Sequence, residues 1–354
     1  MADDKMKSNL TRRDFLRTAA AGAAMFGAAG ATGCGSNGQQ EQAAESQTSE
    51  RIVPRRMLGK TGMNVSILAL GGGSALTMEE DDQKALALID LARRKGVNYF
   101  DTGSEYGGGQ SELRIGEALE PYRKEVYIST KFSPGLSPDK LMKNFERSLK
   151  RLRTDHVDNA NMHGLTRPGD AELMFSSGAL ETLVKLKEEG VVKNIGATAH
   201  RPAPLYEGMQ RFQFDSVSAA TNATGYHFVS EFDKIEGSFE DTVIPLAKKQ
   251  GIGCWAFKVT GQRLLIALQE NEPHKATGLE LIRYGFSLPV HGVILGMTLP
   301  EHVNTACELA ANVTPMTEQE MREMNERLAP SANQMTYLDP NYVDDGGWRA
   351  HMVC

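Results

Sequence analysis

Four side chains able to hold or move protons stand at or just after the ends of short apolar runs. Asp101 closes NYFD (98–101), Lys131 closes VYISTK (126–131) and His163 closes HVDNANMH (156–163). Tyr106 follows Asp101 by five residues, inside the glycine-rich loop of FDTGSEYGGG. Carboxylate, phenol, ammonium and imidazole are the groups from which general acid–base sites are built. A charge at the end of an apolar run is costly unless it is paired or used. Singly, each has an ordinary explanation: Asp101 a helix cap, Lys131 a solvated loop residue, His163 a satisfied core histidine, Tyr106 a loop aromatic. Together, at successive strand ends, they read as one site.

Such a reading needs a scaffold that gathers strand ends. From residue 55 onward, short apolar runs alternate with amphipathic segments. RRMLGKTGMNVS reads as a hairpin turned at Lys60-Thr61-Gly62. Strand starts then fall near 66, 98, 126, 156, 194, 216, 252 and 292. Between them, helices are expected over 81–96, 111–119, 137–153, 178–189, 203–211, 239–250 and 275–287, with two more at 300–311 and 317–328. In the first, Ala85, Leu88, Ile89 and Ala92 recur at helical spacing and Gly96 ends it; in the third, Ser137 is the expected N-cap with Pro138 at the first helical position. Strands alternating with helices mean parallel βαβ units, and eight of them fit a closed (β/α)8 TIM barrel. The alternative, an open doubly wound sheet, usually carries G-x-G-x-x-G after its first strand. Gly71-Gly72-Gly73 lacks that spacing. In a barrel the active site lies where strands end, which is where the four residues fall. The chain thus divides into an N-terminal segment (1–34), a linker (35–53), an α/β barrel with an N-terminal β-hairpin (54–329) and a C-terminal tail beyond the last helix (330–354).

The segment GVNYFDTGSEYGGGQSELRIGEAL resembles the signature of the aldo/keto reductases. VYISTK resembles their lysine strand, RLRTDHVDNANMHG their histidine strand, and RRMLGKTGMNVSILALGGG their opening hairpin. GIGCWAFKVTGQRLL and FSLPVHGVILGMTLPEHV resemble their last two barrel units. The likeness runs from about residue 55 to 328. It implies an NAD(P)-dependent oxidoreductase that passes hydride to or from an aldehyde, ketone or sugar carbonyl or alcohol. It implies Tyr106 as general acid, Lys131 favouring its phenolate form, Asp101 holding Lys131, and His163 orienting the carbonyl. An exported binding or sensor barrel, and a nucleotide-independent sugar-converting enzyme, are the alternatives.

The same resemblance assigns a cofactor pocket, with departures. Where the family grips the nicotinamide with Ser-Asn, this chain has Thr198-Ala199 followed by His200. Ser218 stands where a glutamine is frequent, with Asn222 at the strand end. Phe257 takes the place of the stacking aromatic, followed by Lys258. Backbone at Gly261, Leu264, Gly296 and Thr298 is assigned to pyrophosphate and ribose. His302, with Thr305 and Ala306, replaces the usual arginine-containing adenosine phosphate grip, which leaves NADP or NAD open.

TRRDFLR (11–17), with Arg12 and Arg13, precedes a weakly apolar, charge-free run from Thr18 to Cys34. This resembles a twin-arginine export signal and implies that export machinery as a partner, with a periplasmic or outward-facing location. Ala31-Thr32-Gly33-Cys34 resembles a lipoprotein cleavage box, giving a lipid anchor at Cys34 or ordinary cleavage nearby. The polar stretch that follows has the composition of a flexible linker. Net charge is −6, from 39 basic and 45 acidic residues, and no basic tract suggests a nucleic-acid partner. The four cysteines, Cys34, Cys254, Cys307 and Cys354, are far apart with no C-x-x-C, which argues against an iron–sulfur cluster, a zinc site or a disulfide scaffold. Tyr337, Tyr342 and Trp348 in the tail are candidates for shaping a substrate pocket or for packing on the surface.

Overall fold

The alternation of buried strands with amphipathic helices resolves into a closed parallel barrel. A computed structural model describes residues 53–225, 228–229, 236–269 and 271–334. Barrel strands β3 (Leu68–Gly71), β4 (Tyr99–Asp101), β5 (Tyr127–Phe132), β6 (Val157–Leu165), β7 (Val192–Ala199), β8 (Ser216–Ala220), β11 (Gly253–Phe257) and β12 (Gly292–Leu295) close in the order β11-β12-β3-β4-β5-β6-β7-β8. The hairpin β1 (Arg55–Met57) and β2 (Asn64–Ser66) turns where expected. The two-residue pair β9 (Phe228–Val229) and β10 (Glu236–Gly237) was not foreseen. Nor was the short helix Asp170–Ser176 that precedes Ala179–Glu188. The expected export signal with Arg12, Arg13 and Cys34, and the tail residues Tyr337, Tyr342, Trp348 and Cys354, lie outside the described residues.

The hairpin plugs one end of the barrel. Leu58, Met63 and Val65 pack on Ala69, Tyr99, Trp255 and Ile294, and the Tyr99 and Trp255 rings meet at 4.6 Å. Burying these side chains removes their apolar surface from water, at roughly 25 cal/mol per Å². The barrel interior above them is polar. Asn159 donates to the Tyr99 hydroxyl (3.3 Å) and to Asn161 Oδ1 (3.1 Å), and Asn161 donates to Ser129 Oγ at 2.7 Å. Gly196 makes room for this stack, since a Cβ there would overlap Asn161 Oδ1. With one end plugged and the middle filled, the C-terminal strand ends are where the described residues leave room for a ligand.

Helix ends follow local chemistry, with one exception. Asp81 caps Asp82–Arg94 by accepting from the backbone N–H groups of Gln83 and Lys84, satisfying two orphan donors. Ser137 occupies the N-cap of Pro138–Leu152, but its side chain makes no capping bond there. The helix Gln110–Leu119 crosses the end of Pro138–Leu152 at Gly116, where an added Cβ would overlap the Arg151 carbonyl oxygen and stand 2.7 Å from Leu152 Cα. Gly116→Ala improves helix propensity by about 1 kcal/mol. The obstacle is backbone, which cannot swing aside, so a net loss of about 1–3 kcal/mol is expected. A urea melt that shows stabilisation would refute this close approach.

Candidate active site

The register sets the four residues at one level. Asp101 pairs across to Ser129 and Lys131 to Asn161, which puts the side chains of Asp101 and Lys131 together at the open end. Lys131 Nζ donates to Asp101 Oδ2 at 2.5 Å and to the Thr102 carbonyl at 2.6 Å. The pair is buried, with side-chain exposures of 4% for Lys131 and 9% for Asp101. An ammonium has three donors, and the Tyr106 ring centroid lies 4.8 Å from this one. Strand β5 runs one residue past Lys131, to Phe132.

His163 does not close its strand as the sequence suggested. Strand β6 continues to Leu165, and its register with β7 shifts between Met162 and Leu165. Such an irregularity re-aims a side chain. Here the His163 ring stands edge-on to Tyr106, at 5.5 Å and 74°. Gly164 accepts the turn in left-handed backbone (φ +66°), and its N–H donates to Thr198 Oγ1 at 3.0 Å.

Tyr106 opens a tight turn, Tyr106–Gly109, in which Gly107 and Gly108 are both left-handed. Its ring lies over Gly73 and Gly103, where a Cβ would come within 3.7 and 3.3 Å of it. Below the site, burial and then the charge of Asp101 push the Tyr99 hydroxyl far up, so Tyr99 stays a neutral phenol.

Asp101, Tyr106, Lys131 and His163 share a small cavity with Thr198, Ser218 and Phe257. This cavity opens, past Asp101, Tyr106 and Phe257, into an outer cleft of about 160 Å³ bordered by Lys258 and Gly296. Four other expected contacts, Gly261, Leu264, Thr298 and His302, do not line either space. In their place Gln262 and Arg263 face the cleft. Arg263 donates to Thr298 Oγ1 at 3.4 Å, and Thr298 Oγ1 lies 3.2 Å from His302 Nδ1. Thr298 and His302 therefore flank the cleft through Arg263. Asn222 is buried, and its side-chain oxygen accepts from the Thr224 N–H.

Lys258, Gln262 and Arg263 have φ of +61°, +55° and +74°, three of the six left-handed non-glycine residues among those described. Strain of this kind collects at ligand clamps. A flat aromatic at the inner end, cations at the outer end and close-set backbone at Gly71 and Gly296 suit an elongated ligand with a ring and phosphates.

His200 also lines the cavity, a place not assigned to it from the sequence. It is buried and faces Phe257, with ring centroids 5.6 Å apart. The Thr166 hydroxyl lies 3.0 Å from the Gly164 carbonyl and 3.3 Å from His200 Nδ1, which ties His200 to the turn after His163. A polar residue just past a strand end was the signal that marked His163, and it marks His200 equally well. Arg263 gave no such signal, because it lies inside a loop whose alignment the sequence does not fix.

The model of the aldo/keto reductase family matches residues 68–281. The chain belongs to that family. Aldo/keto reductases are generally NAD(P)-dependent oxidoreductases of small carbonyl compounds, and the barrel matches theirs. An aldo-keto reductase from Bacillus halodurans, in its holo form, aligns with a TM-score of 0.62 over 83% of this chain and 99% of its own, at 22% identity; this likeness is one of fold. The L-galactose dehydrogenase of Arabidopsis thaliana is 35% identical over 158 residues, 41% of this chain and 48% of that protein. The NADH-specific methylglyoxal reductase of Escherichia coli is 26% identical over 226 residues, 57% and 64% of the two chains. The matched stretches span about half to two thirds of these curated relatives.

Proposed function

We propose that this aldo/keto reductase reduces a small aldehyde, ketone or sugar carbonyl, or oxidises the matching alcohol, with Tyr106 as the proton donor and acceptor. The observation that carries this reading is the buried Lys131–Asp101 pair set against the Tyr106 ring. Desolvating an ammonium and a carboxylate has a large cost, and a protein that only bound a ligand would have no use for it there. A nicotinamide nucleotide, when bound, supplies or accepts the hydride. Phe257, Thr198 and Ser218 would hold the ring end, and Lys258 and Arg263 the phosphates. The Tyr106 hydroxyl gives its proton to the carbonyl oxygen as charge grows there, and Lys131 stabilises the phenolate left behind. His163, edge-on to Tyr106, holds that oxygen in line. The test is a fluorescence titration with NADPH and NADH, followed by loss of reduced-nucleotide absorbance on adding methylglyoxal or an aldose. A protein that binds neither nucleotide would refute the reading.

Arg263 further suggests NADPH as the tighter ligand. It brings a guanidinium to Thr298 and His302 from a different loop than the one where the family's arginine is expected. Arg263→Ala is expected to weaken NADPH about tenfold and NADH less than about twofold, from the loss of one charged hydrogen bond. Equal weakening of both nucleotides would move Arg263 to the pyrophosphate.

A further inference from the structure

The turn that carries Tyr106 is held from outside the cavity by an ion pair, Arg151 with Glu112. Arg151 lies in the last turn of Pro138–Leu152, and its guanidinium donates to the Ser104 carbonyl at 3.0 Å and to the Gly108 carbonyl at 3.1 Å. These two carbonyls bracket Tyr106 on either side. The same guanidinium reaches Glu112 Oε2 at 3.3 Å. Glu112 is fully buried, and its other oxygen accepts from Thr130 Oγ1 at 2.6 Å. Thr130 is the residue before Lys131 on β5. A single carboxylate thus joins the strand that carries the ammonium to the turn that carries the phenol.

The glycines of the turn fit this clamp. Gly107, Gly108 and Gly109 have φ of +59°, +67° and +98°, a backbone that side chains rarely adopt. At Gly109 an added Cβ would overlap the Arg151 guanidinium itself. A turn with three glycines has little rigidity of its own, so its shape must be imposed by its contacts. Burial pushes the Glu112 carboxyl up, and the hydrogen bonds from Thr130 and Arg151 act against that shift.

We infer that Arg151 and Glu112 are positioning residues that fix the Tyr106 turn, and with it the distance from the phenol to Lys131; the catalytic part of this rests on Tyr106 being the proton donor proposed above. Neither residue touches the cavity. Their effect passes entirely through the geometry of residues 103–109.

The test uses the full chain and reads the turn and the reaction separately. In Arg151→Ala, amide hydrogen exchange across residues 103–109 is expected to rise at least about tenfold, while the barrel strands keep their protection. With NADPH and methylglyoxal, kcat is expected to fall about 100-fold, as for a misplaced catalytic group, with the nucleotide Kd within about twofold of wild type. Added guanidinium ion, below denaturing concentrations, should restore part of kcat and of the protection. Arg151→Lys keeps both charges and leaves the three glycines untouched but loses the forked donation to the two carbonyls; it should show the same losses in smaller degree, without rescue. It also serves if Arg151→Ala does not fold. Unchanged exchange at 103–109 in either variant overturns the clamp, as does loosened exchange with undiminished kcat. If wild type binds nucleotide but turns over no carbonyl, the proposed function fails instead, and the exchange data alone decide whether the clamp holds the turn.

Discussion

Tyr106→Phe is expected to lower carbonyl turnover by about 10²–10⁴-fold, with nucleotide binding near that of wild type, if Tyr106 is the proton donor proposed above. The substitution removes one oxygen and leaves the ring, which lies over Gly73 and Gly103 and opposite the Lys131 ammonium. Packing is kept, so the fold should not change, and a melt within about 0.5 kcal/mol of wild type is the control. In the proposed role, what the substitution takes away is the proton for the carbonyl oxygen. Among the described groups, His163 and His200 are the other proton-bearing rings in the cavity, and neither stands against the Lys131 ammonium as Tyr106 does. Tyr99 is buried in the barrel and held neutral, two residues below Asp101. His163 stands edge-on at 5.5 Å, with a ring that can orient an oxygen. The measurement is steady-state turnover of an aldehyde with NADPH, beside a fluorescence titration of the same sample. Loss of turnover together with loss of binding would place Tyr106 in the cofactor pocket and not in the chemistry. A loss of less than about tenfold would give the proton step to His163.

The contrast between Tyr106 and Arg263 shows how far the residues alone could be read. The eight strands were legible because nearly all are short runs of apolar and small residues between segments of helical periodicity, a signal that survives without knowing any contact; β6, with Asp158, Asn159 and Asn161, is the polar exception. Asp101 and Lys131 were legible for a related reason: a charge at the end of such a run marks where the strand leaves the core. His163 was placed at the right level but for an incomplete reason. Its strand runs on to Leu165, and its aim comes from a register shift that no spacing announces. The loop after β11 was less readable. Gly261 and Leu264 were expected to hold the cofactor, yet Gln262 and Arg263 face the cleft, because left-handed backbone at Lys258, Gln262 and Arg263 rotates the loop. Left-handed conformations at non-glycine residues are imposed by tertiary contacts and leave no trace in composition. Glu112 and Arg151 were hidden for a similar reason. They sit 39 residues apart, on two helices that approach closely at Gly116, a packing contact that spacing does not reveal.

The second large effect concerns the pair that Tyr106 relies on. Lys131→Met is expected to lower turnover by about 10²–10³-fold and to destabilise the protein by about 3–5 kcal/mol. In the proposed mechanism the activity would fall because the phenolate loses its cation. The stability falls because Asp101, almost wholly out of water, keeps its carboxylate without a partner. Asp101→Asn is expected to be costly for the mirror reason, though less so. The Lys131 ammonium would keep its bond to the Thr102 carbonyl and its place over the Tyr106 ring. The double variant Lys131→Met, Asp101→Asn removes both charges, and it should recover most of the lost stability without recovering activity. Urea melts on the four proteins form a double-mutant cycle, and the expected coupling is about 3–5 kcal/mol, above what most contacting residues show, because either single change leaves one buried group without its partner. Additive losses would mean that water screens the pair, and the argument that its burial cost points to catalysis would fall with it. Recovered stability beside lost turnover would separate the two roles: the pair contributes little net stability to the barrel, and its presence answers to the chemistry at Tyr106.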